Sequence, residues 1–255
     1  MKKGNRISLI VGALALVSML SSCNKLLDYV NKGGGEGESV AAYRIKSIKG
    51  WSPLDSATAS FTYNEKGDLM NITFDKPSTG RFNTIFRYNH EGQVTDRITT
   101  YDGRFFDSWY HYVYNNAGRV IQDTLYQLGT ITDDRPTDNS TMLVSNYSYD
   151  SYGRVVKTET TVLKPNINYK FTTDYPYDIK NNLVGRADTV DTRASLYRID
   201  PNWMLMAKDY SLNNPFVADE YNKAGLPVKL HYKDGYFFHF LHAWFPSRQV
   251  EITYE

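Results

Sequence analysis

A nine-residue segment recurs between about residue 60 and residue 230 and constrains the fold more than any other feature. Its pattern is aromatic–x–Tyr–Asn/Asp–x–x–Gly–x–apolar, and it is complete at 61–69, 86–94, 112–120 and 147–155. Two degenerate copies occupy 175–183, with Asn181 at the glycine position, and 221–227, with Pro227 at the apolar position. Random placement of the 21 tyrosines and 17 glycines would put about 1.4 Tyr–Gly pairs at this spacing. The chain has six.

The residue types of the segment are those of a bulged β-hairpin turn. An Asn or Asp side chain accepts a hydrogen bond from the backbone N–H two residues on, and the next two residues take the right-handed conformations of a type I turn. Glycine then takes the left-handed conformation that closes the hairpin, which asparagine also tolerates. The predicted turn residues are Asn64, Gly67, Asn89, Gly92, Asn115, Gly118, Asp150, Gly153, Asp178, Asn181, Asn222 and Gly225.

Between the copies, Thr79-Gly80 suggests a further reversal, and Asp102-Gly103 and Asp234-Gly235 predict two-residue type I′ loops. The polar stretch 133–140 is predicted to be an inserted loop. Little helix is expected: 196–206 is the least strand-like stretch, and Pro201 argues against a long helix there. The fold class predicted is therefore all-β, an antiparallel meander of consecutive hairpins forming a curled or closed barrel-like sheet.

The first 22 residues have the composition of a secretory signal. Lys2, Lys3 and Arg6 precede an apolar run over 7–20, which is shorter than the roughly 20 residues of a spanning helix. The predicted organisation is a signal peptide over 1–22, an anchor and Gly-rich linker over 23–41, and one all-β domain over 42–255. The alternative is an ordinary secreted protein with a cysteine near its cleavage site.

Leu20-Ser21-Ser22-Cys23 resembles the lipobox of bacterial lipoproteins. The resemblance implies that Cys23 is the mature N-terminus and carries a diacylglycerol, so the membrane would be a partner through the lipid anchor. Asn24 lacks the aspartate that often signals inner-membrane retention in that family, which favours the outer membrane. Whether the domain faces the periplasm or the outside stays open.

The copies at 114–120 and 149–155 resemble the tyrosine-aspartate (YD) repeats of large secreted and surface proteins, whose repeats wind into a continuous β-shell. The chain is also similar to uncharacterised envelope lipoproteins that carry a porin-like, barrel-shaped domain of unknown function. A membrane-spanning barrel is disfavoured, because the strand predicted from Val94 has Asp96 on one face and Arg97 on the other. A lipid-tethered, water-soluble sheet is expected instead.

Charge and cysteine content exclude several function classes. The chain has 29 basic and 28 acidic residues, and with the leader removed the balance is slightly acidic, which argues against nucleic-acid binding. One cysteine excludes a disulfide framework and a Cys-based zinc site. With Asp234-Gly235 as a hairpin, His231 lies opposite Phe238 and His239 points to the other face, so no metal site is predicted.

No cofactor is predicted, since the chain lacks a Gly-x-Ser-x-Gly elbow and a glycine-rich phosphate loop. The acid pair Asp133-Asp134 would serve a glycosidase only if strands brought two carboxyl groups together in a cleft. The stretch 237–245 is interpreted as a core strand that closes the sheet near the C-terminus.

Two interpretations of the aromatic residues remain. Tyr110, Tyr112 and Tyr114 share one strand face with Trp109 on the other, and Tyr147 and Tyr149 repeat the pattern. The rings either pack inside the curled sheet, which is favoured, or form a ribbon for sugars or a partner. The leading function is a non-enzymatic binding or scaffold module of the cell envelope. The alternatives are a glycan-binding surface protein using exposed aromatics and, third, a hydrolase.

Overall fold

The computed structural model describes residues 40–132, 135–137, 140–164, 167–185, 190–231, 238–246 and 248–255. The predicted signal peptide, Cys23 and most of the linker therefore lie outside the described residues, as do Asp133, Asp134 and the Asp234-Gly235 hairpin.

Fifteen β-strands make up most of the described fold. They are β1 Ile45–Ser52, β2 Asp55–Tyr63, β3 Leu69–Phe74, β4 Asn83–Tyr88, β5 Val94–Thr100, β6 Phe105–Tyr114, β7 Val120–Thr130, β8 Thr141–Tyr149, β9 Val155–Lys164, β10 Ile167–Asp174, β11 Glu220–Tyr221, β12 Pro227–Leu230, β13 Phe238–Phe240, β14 Ala243–Phe245 and β15 Gln249–Tyr254. The helical elements of the described residues are two 3-10 turns, Val40–Ala42 and Leu196–Ile199, and one α-helix, α1, Pro201–Ala207.

Thirteen strands form one antiparallel sheet in the order β10-β9-β8-β7-β6-β5-β4-β3-β2-β1-β15-β12-β11. The first ten strands follow chain order, so the predicted all-β meander of consecutive hairpins is confirmed. The sheet ends at β10 on one side and β11 on the other. It is neither closed nor strongly curled, so the predicted barrel-like form is not confirmed.

One face of the sheet packs against α1 and the small β13–β14 hairpin. The rings of Tyr197, Trp203 and Phe61 surround Phe240 at centroid distances of 5.3, 5.2 and 6.1 Å. Trp203 and Phe240 are each 1% exposed. Full burial of side chains of this size stabilises a fold by about 1.5–3 kcal/mol each, so this helix–hairpin unit is the centre of the core.

The helical segment agrees with the prediction that only a short helix forms near 196–206. Asp200 caps α1 by accepting a hydrogen bond from the Asn202 N–H at 2.8 Å, and Pro201 occupies the first helical position, where no intrahelical donor is needed. Lys208 ends the helix in the left-handed conformation with φ 52°. The left-handed conformation of Lys208 turns the chain back toward the sheet, where its side chain pairs with Asp123.

The prediction that 237–245 is a single strand closing the sheet is wrong. Phe238 pairs with Phe245 and Phe240 with Ala243, so the segment is a separate two-stranded hairpin. Its turn is Leu241-His242, with φ 48° and 67°. These side chains disfavour a left-handed conformation by about 1–2 kcal/mol each, and burial of Phe238, Phe240 and Phe245 offsets that cost.

The predicted pairing of His231 with Phe238 is also wrong. The strand before His231, β12, pairs with β11 and β15, and β13 pairs only with β14 among the described strands. The reversal at Thr79-Gly80 is present, with Ser78 bridged to Arg81. The Asp102-Gly103 reversal is present too, but only Gly103 has a positive φ, of 78°, so the loop is not type I′.

A second, smaller core lies on the other face of the sheet. Ile98, Phe106 and Trp109 are 0–2% exposed there, and the Arg87 guanidinium lies over the Trp109 ring at 4.8 Å. The Trp109 indole N–H donates to Asp96 Oδ1 at 2.8 Å. Trp109 thus lies on the face opposite Tyr110 and Tyr112, as the strand alternation predicts.

Candidate functional site

The structure places all twelve predicted turn residues at six reversals with the same hydrogen bonds. In each, the N–H of the first residue donates to the carbonyl of the fifth at 2.9–3.0 Å, and the N–H of the fourth donates to the carbonyl of the first at 2.9–3.1 Å. The side chain of the first residue accepts from the N–H groups two and four residues on at 2.8–3.0 Å. Gly67, Gly92, Gly118, Gly153, Asn181 and Gly225 all have φ between 64° and 89°.

Five of these reversals join neighbouring strands of the large sheet. The copy at Asp178 and Asn181 instead joins segments held by one bridge, Tyr177 to Leu183. The turn residues therefore serve the architecture, and the functional site has to be sought elsewhere on the sheet.

The repeat tyrosines have a second structural role that the pattern did not predict. The hydroxyl of Tyr88 donates to the carbonyl of Leu69 at 2.9 Å, and Tyr149 donates to Val120 at 2.7 Å. Each acceptor is the last residue of the preceding copy. Tyr254 makes the same kind of bond to Pro227, at 2.6 Å. These hydroxyl groups are occupied in holding one hairpin to the next.

The aromatic residues predicted as a possible ribbon pack inside the structure. Tyr112 is 3% exposed, and Tyr110, Tyr114, Tyr147 and Tyr149 are half-buried against the main core. The rings of Tyr110 and Tyr112 stack at 6.4 Å, as do those of Tyr147 and Tyr149 at 6.3 Å. An uninterrupted tyrosine surface is therefore not presented to solvent.

A cluster of charged and aromatic side chains lies where the sheet meets the end of α1 and the β13–β14 turn. We call it the cation cleft, and its members are Arg97, Tyr110, Asp123, Tyr147, Lys208 and His242. Strands β5 to β8 supply the first four, the helix end supplies Lys208, and the hairpin turn supplies His242. Lys208 is partly accessible, with 18% of its side chain exposed, and His242 is exposed. Solvent therefore reaches the cleft.

Asp123 anchors one side of the cation cleft. Its Oδ2 accepts a hydrogen bond from Lys208 Nζ at 3.3 Å and another from the Tyr147 hydroxyl. Lys208 Nζ also lies 5.2 Å from the centre of the Tyr147 ring and 6.0 Å from that of Tyr110. Asp123 is 1% exposed, so its charge depends on these partners.

Arg97 forms the floor of the cation cleft. Its guanidinium carbon lies 4.2 Å from the centre of the Tyr110 ring, and the residue is 1% exposed. The Nε and Nη1 groups are buried, and no hydrogen-bond acceptor for them lies in the part of the chain that the structure describes. A buried guanidinium with unpaired donors is unusual and marks this position as more than a packing residue.

The two cations dominate the electrostatics of the cation cleft. Arg97 is the main cause that lowers the pKa of His242 to about 3, and burial and Lys208 act in the same direction. Burial lowers the pKa of Lys208, an effect that Asp123 opposes and Arg97 strengthens. Burial raises the pKa of Tyr147. His242 is therefore neutral near pH 7, and Arg97 and Lys208 face one carboxylate, Asp123, within the described parts of the chain.

An apolar strip continues from Tyr110 across the same face of the sheet to the edge strand β10. Its members are Leu125, Leu143, Val162, Tyr169 and Phe171. Cross-strand pairing places Leu125 beside Tyr110, Leu143 beside Leu125, Val162 beside Leu143 and Tyr169 beside Val162.

The apolar strip is open toward its outer end. Tyr169 and Phe171 are 52% and 42% exposed, and Leu125 and Leu143 are half-buried. Val162 differs from the other four members, because it is buried and only 1% exposed. The strip is therefore accessible at Tyr169 and Phe171, partly accessible at Leu125 and Leu143, and covered at Val162.

A separate polar–aromatic patch lies on the outer face of β1 and β15. Trp51 is 43% exposed, and Lys49, Gln249 and Glu251 surround a shallow depression with it. Lys49 lies opposite Glu251, and Trp51 lies opposite Gln249. An exposed indole beside amide, carboxylate and ammonium groups is suited to stacking and hydrogen bonding with a sugar.

The histidines are dispersed, and no group of three or more His, Cys, Asp or Glu side chains in the described ranges could hold a metal ion. His231 Nδ1 lies 2.5 Å from Asp219 Oδ2, and His111 Nδ1 lies 2.9 Å from Asp96 Oδ1. The His239 ring lies against Trp244 at 4.8 Å.

Sequence reasoning missed the cation cleft, although one signal for it was present. Arg97 and Asp123 stand at strand positions that alternation places on a buried face, where a charge needs a partner. The charge at Arg97 entered the prediction only as an argument against a membrane-spanning barrel. Its connection with Lys208 and His242 depends on how α1 and the β13–β14 hairpin pack, which no local pattern encodes.

Comparisons with known proteins place the chain in no family. No protein-family model and no curated protein matches it. A crystal structure of a porin-like protein from Bacteroides uniformis ATCC 8492 aligns with 82% of this chain and 95% of that chain, at 14% identity and a TM-score of 0.29. A likeness at that TM-score carries no argument about function. Among the described residues, no helix is long and apolar enough to cross a membrane.

Proposed function

We propose that the chain is a lipid-anchored, non-enzymatic binding module of the bacterial cell envelope, which holds its ligand in the cation cleft. The observation that carries the binding function is the convergence of Arg97, Lys208, Asp123 and two tyrosines from separate elements on one solvent-accessible point. Trp203 and Phe240 are buried on the same face of the sheet, which gives the site a packed support. The lipobox-like leader supports the anchoring.

The anchoring is tested by metabolic labelling with an alkyne-bearing palmitate, followed by membrane fractionation. We expect label on the wild-type chain, none on Cys23→Ala, and recovery of the labelled chain in the outer-membrane fraction. A matched control is Ser39→Ala, which lies in the Gly-rich linker and leaves the lipobox-like segment and the cysteine intact. Equal labelling of Cys23→Ala and the wild type would contradict the proposal.

A second candidate function, glycan capture at the cell surface, is favoured by the exposed Trp51 and its polar neighbours. Its test is a glycan array probed with the wild-type chain, Trp51→Ala and Trp244→Ala. Trp244 is also 43% exposed and lies outside the patch, so it is a matched control. Signals lost only in Trp51→Ala would support this function, and an array without signal would exclude it for the glycans present.

A further inference from the structure

Among the described residues, the cation cleft contains two cations and one carboxylate, that of Asp123. Asp123 is already bonded by Lys208 and by the Tyr147 hydroxyl. Arg97, beneath the Tyr110 ring, keeps two buried N–H donors without an acceptor in the described parts of the chain. A second negative charge near Lys208 would complete the charge balance of the cluster, and low-dielectric surroundings strengthen such an attraction.

Lys208 is the cation that a ligand can reach. Its side chain is 18% exposed, whereas Arg97 is 1% exposed. A ligand anion would therefore contact Lys208 Nζ. Arg97, which is buried against the Tyr110 ring, would attract the anion electrostatically without touching it. Neutral His242, exposed at the same opening, adds a polar ring without a competing charge.

The apolar strip indicates that the ligand carries an apolar part in addition to its anionic group. From Tyr110 to Tyr169 it crosses four steps between neighbouring strands, which is about 19 Å at the usual spacing of 4.7–4.9 Å. Its exposed end, Tyr169 and Phe171, is apolar and aromatic on the side that faces the cation cleft. A ligand that covered the strip would remove apolar surface from water and gain affinity from it.

We propose that the cation cleft and the apolar strip together bind an amphipathic anion, with a carboxylate or phosphate head group at Lys208 and an elongated apolar body along Leu125, Leu143 and Phe171. This inference deepens the proposed binding function and rests on it. It identifies the ligand by chemistry alone: one negative charge at one end, and an unbranched or flat apolar body of about 10–19 Å.

Isothermal titration of the full-length chain in lipid nanodiscs, with empty nanodiscs as the blank, tests the inference. The probes are octanoate, octyl phosphate, 1-octanol and octylammonium, which share the chain length and differ in the head group. We expect octanoate or octyl phosphate to bind at least about tenfold more tightly than octanol, and octylammonium not to bind. The tighter of the two anions identifies the head group. Equal affinity for octanol and both anions would overturn the inference.

Two variants test separately what the cation cleft and the apolar strip contribute to binding. Lys208→Gln should weaken binding of the anions about tenfold and leave that of octanol unchanged, whereas Phe171→Ser should weaken both. Lys229→Gln, which removes a surface lysine outside the cleft, is the matched control. Anion binding that survives Lys208→Gln, in a variant whose circular dichroism matches the wild type, would contradict the inference. Absence of probe binding with intact Cys23 labelling would reject this ligand class and leave the anchoring standing.

Discussion

The hydroxyl of Tyr114 donates a hydrogen bond to the carbonyl oxygen of Val94 at 2.8 Å. Tyr114 directly precedes the turn of one repeat copy, and Val94 ends the copy before it. The bond therefore fixes the spacing between two consecutive hairpins. The same relationship links Tyr88 to Leu69 and Tyr149 to Val120, which explains why the repeat needs tyrosine where any aromatic residue could supply the packing.

Tyr114→Phe removes this hydrogen bond and keeps the ring. We expect a loss of about 0.5–1.5 kcal/mol in the free energy of unfolding, the usual contribution of one such bond. Urea denaturation measures the difference. Tyr101→Phe, at a tyrosine that is 47% exposed, is the control and should change stability little. An equal effect of both substitutions would contradict a linking role for Tyr114.

Gly92 allows the cost of the left-handed backbone conformation to be measured without steric clashes. Its φ is 77°, and a Cβ added there meets nothing within 4 Å. Gly92→Ala should cost about 1 kcal/mol through the left-handed conformation alone. Gly92→Asn should cost less, since Asn181 takes the same position in another copy with φ 64°. Thermal denaturation ranks the three chains, and alanine tolerated as well as asparagine would count against this turn geometry.

Asp200 makes stability depend on pH. Burial raises its pKa to about 6 from an ordinary value of 3.8. A carboxyl group with a raised folded-state pKa favours the protonated native state, so stability falls as pH rises from about 4 to about 6 and stays lower above. Asp200→Asn, which can still cap α1, should stabilise the fold by about 1–3 kcal/mol at pH 7.5 and have little effect at pH 3.5. A pH-independent difference in urea denaturation would refute this.

The Asp96–His111 pair also makes stability depend on pH, with the same sign as Asp200 on its histidine side and the opposite sign on its aspartate side. The hydrogen bond that His111 donates to Asp96 raises the pKa of His111, so its contribution is present below pH 6.5 and is lost as pH rises through the raised value. Burial tends to raise the pKa of Asp96, but hydrogen bonds from His111 and Trp109 lower it overall, so its contribution is lost only as pH falls below 3.8.

The pair should therefore stabilise the fold most between pH 4 and 6.5. His111 is half exposed, so we expect no more than about 0.5–1 kcal/mol. His111→Gln should destabilise the chain at pH 5.5 and be close to neutral at pH 8.5. Denaturation at the two pH values measures this, and His90→Gln, at a histidine whose side chain is 90% exposed, is the comparison. A larger effect at pH 8.5 would show that the charge has no part in it.

Local turn chemistry explains why much of the sheet could be predicted. Asn64 and Gly67 determine their reversal with bonds that stay within five residues, and the strands on either side then pair by proximity. The hairpin at Leu241-His242 has no such signal, because neither residue favours a positive φ, and long-range burial of Phe240 stabilises it. Whether the sheet closes into a barrel could not be predicted either. Closure would require the two end strands, β10 and β11, to pair, and they are far apart in the chain.

The site was harder to predict for the same reason. Lys208 and Asp123 are 85 residues apart in the chain, and their ion pair depends on the left-handed end of α1. What alternation does predict is that Arg97 and Asp123 lie on the core face, where an unpaired charge is costly. Charged residues on the apolar face of a strand are thus the sequence signal that would have located the cation cleft.

The most direct test of the cation cleft as a ligand site is a crystal structure of the chain soaked with 8-bromooctanoate, with anomalous scattering from bromine locating the far end of the probe. We expect the carboxylate within hydrogen-bond distance of Lys208 Nζ and the bromine over Leu125, Leu143 or Phe171. A bromine peak at the Trp51 patch, or a carboxylate held by residues other than Lys208, would contradict the account.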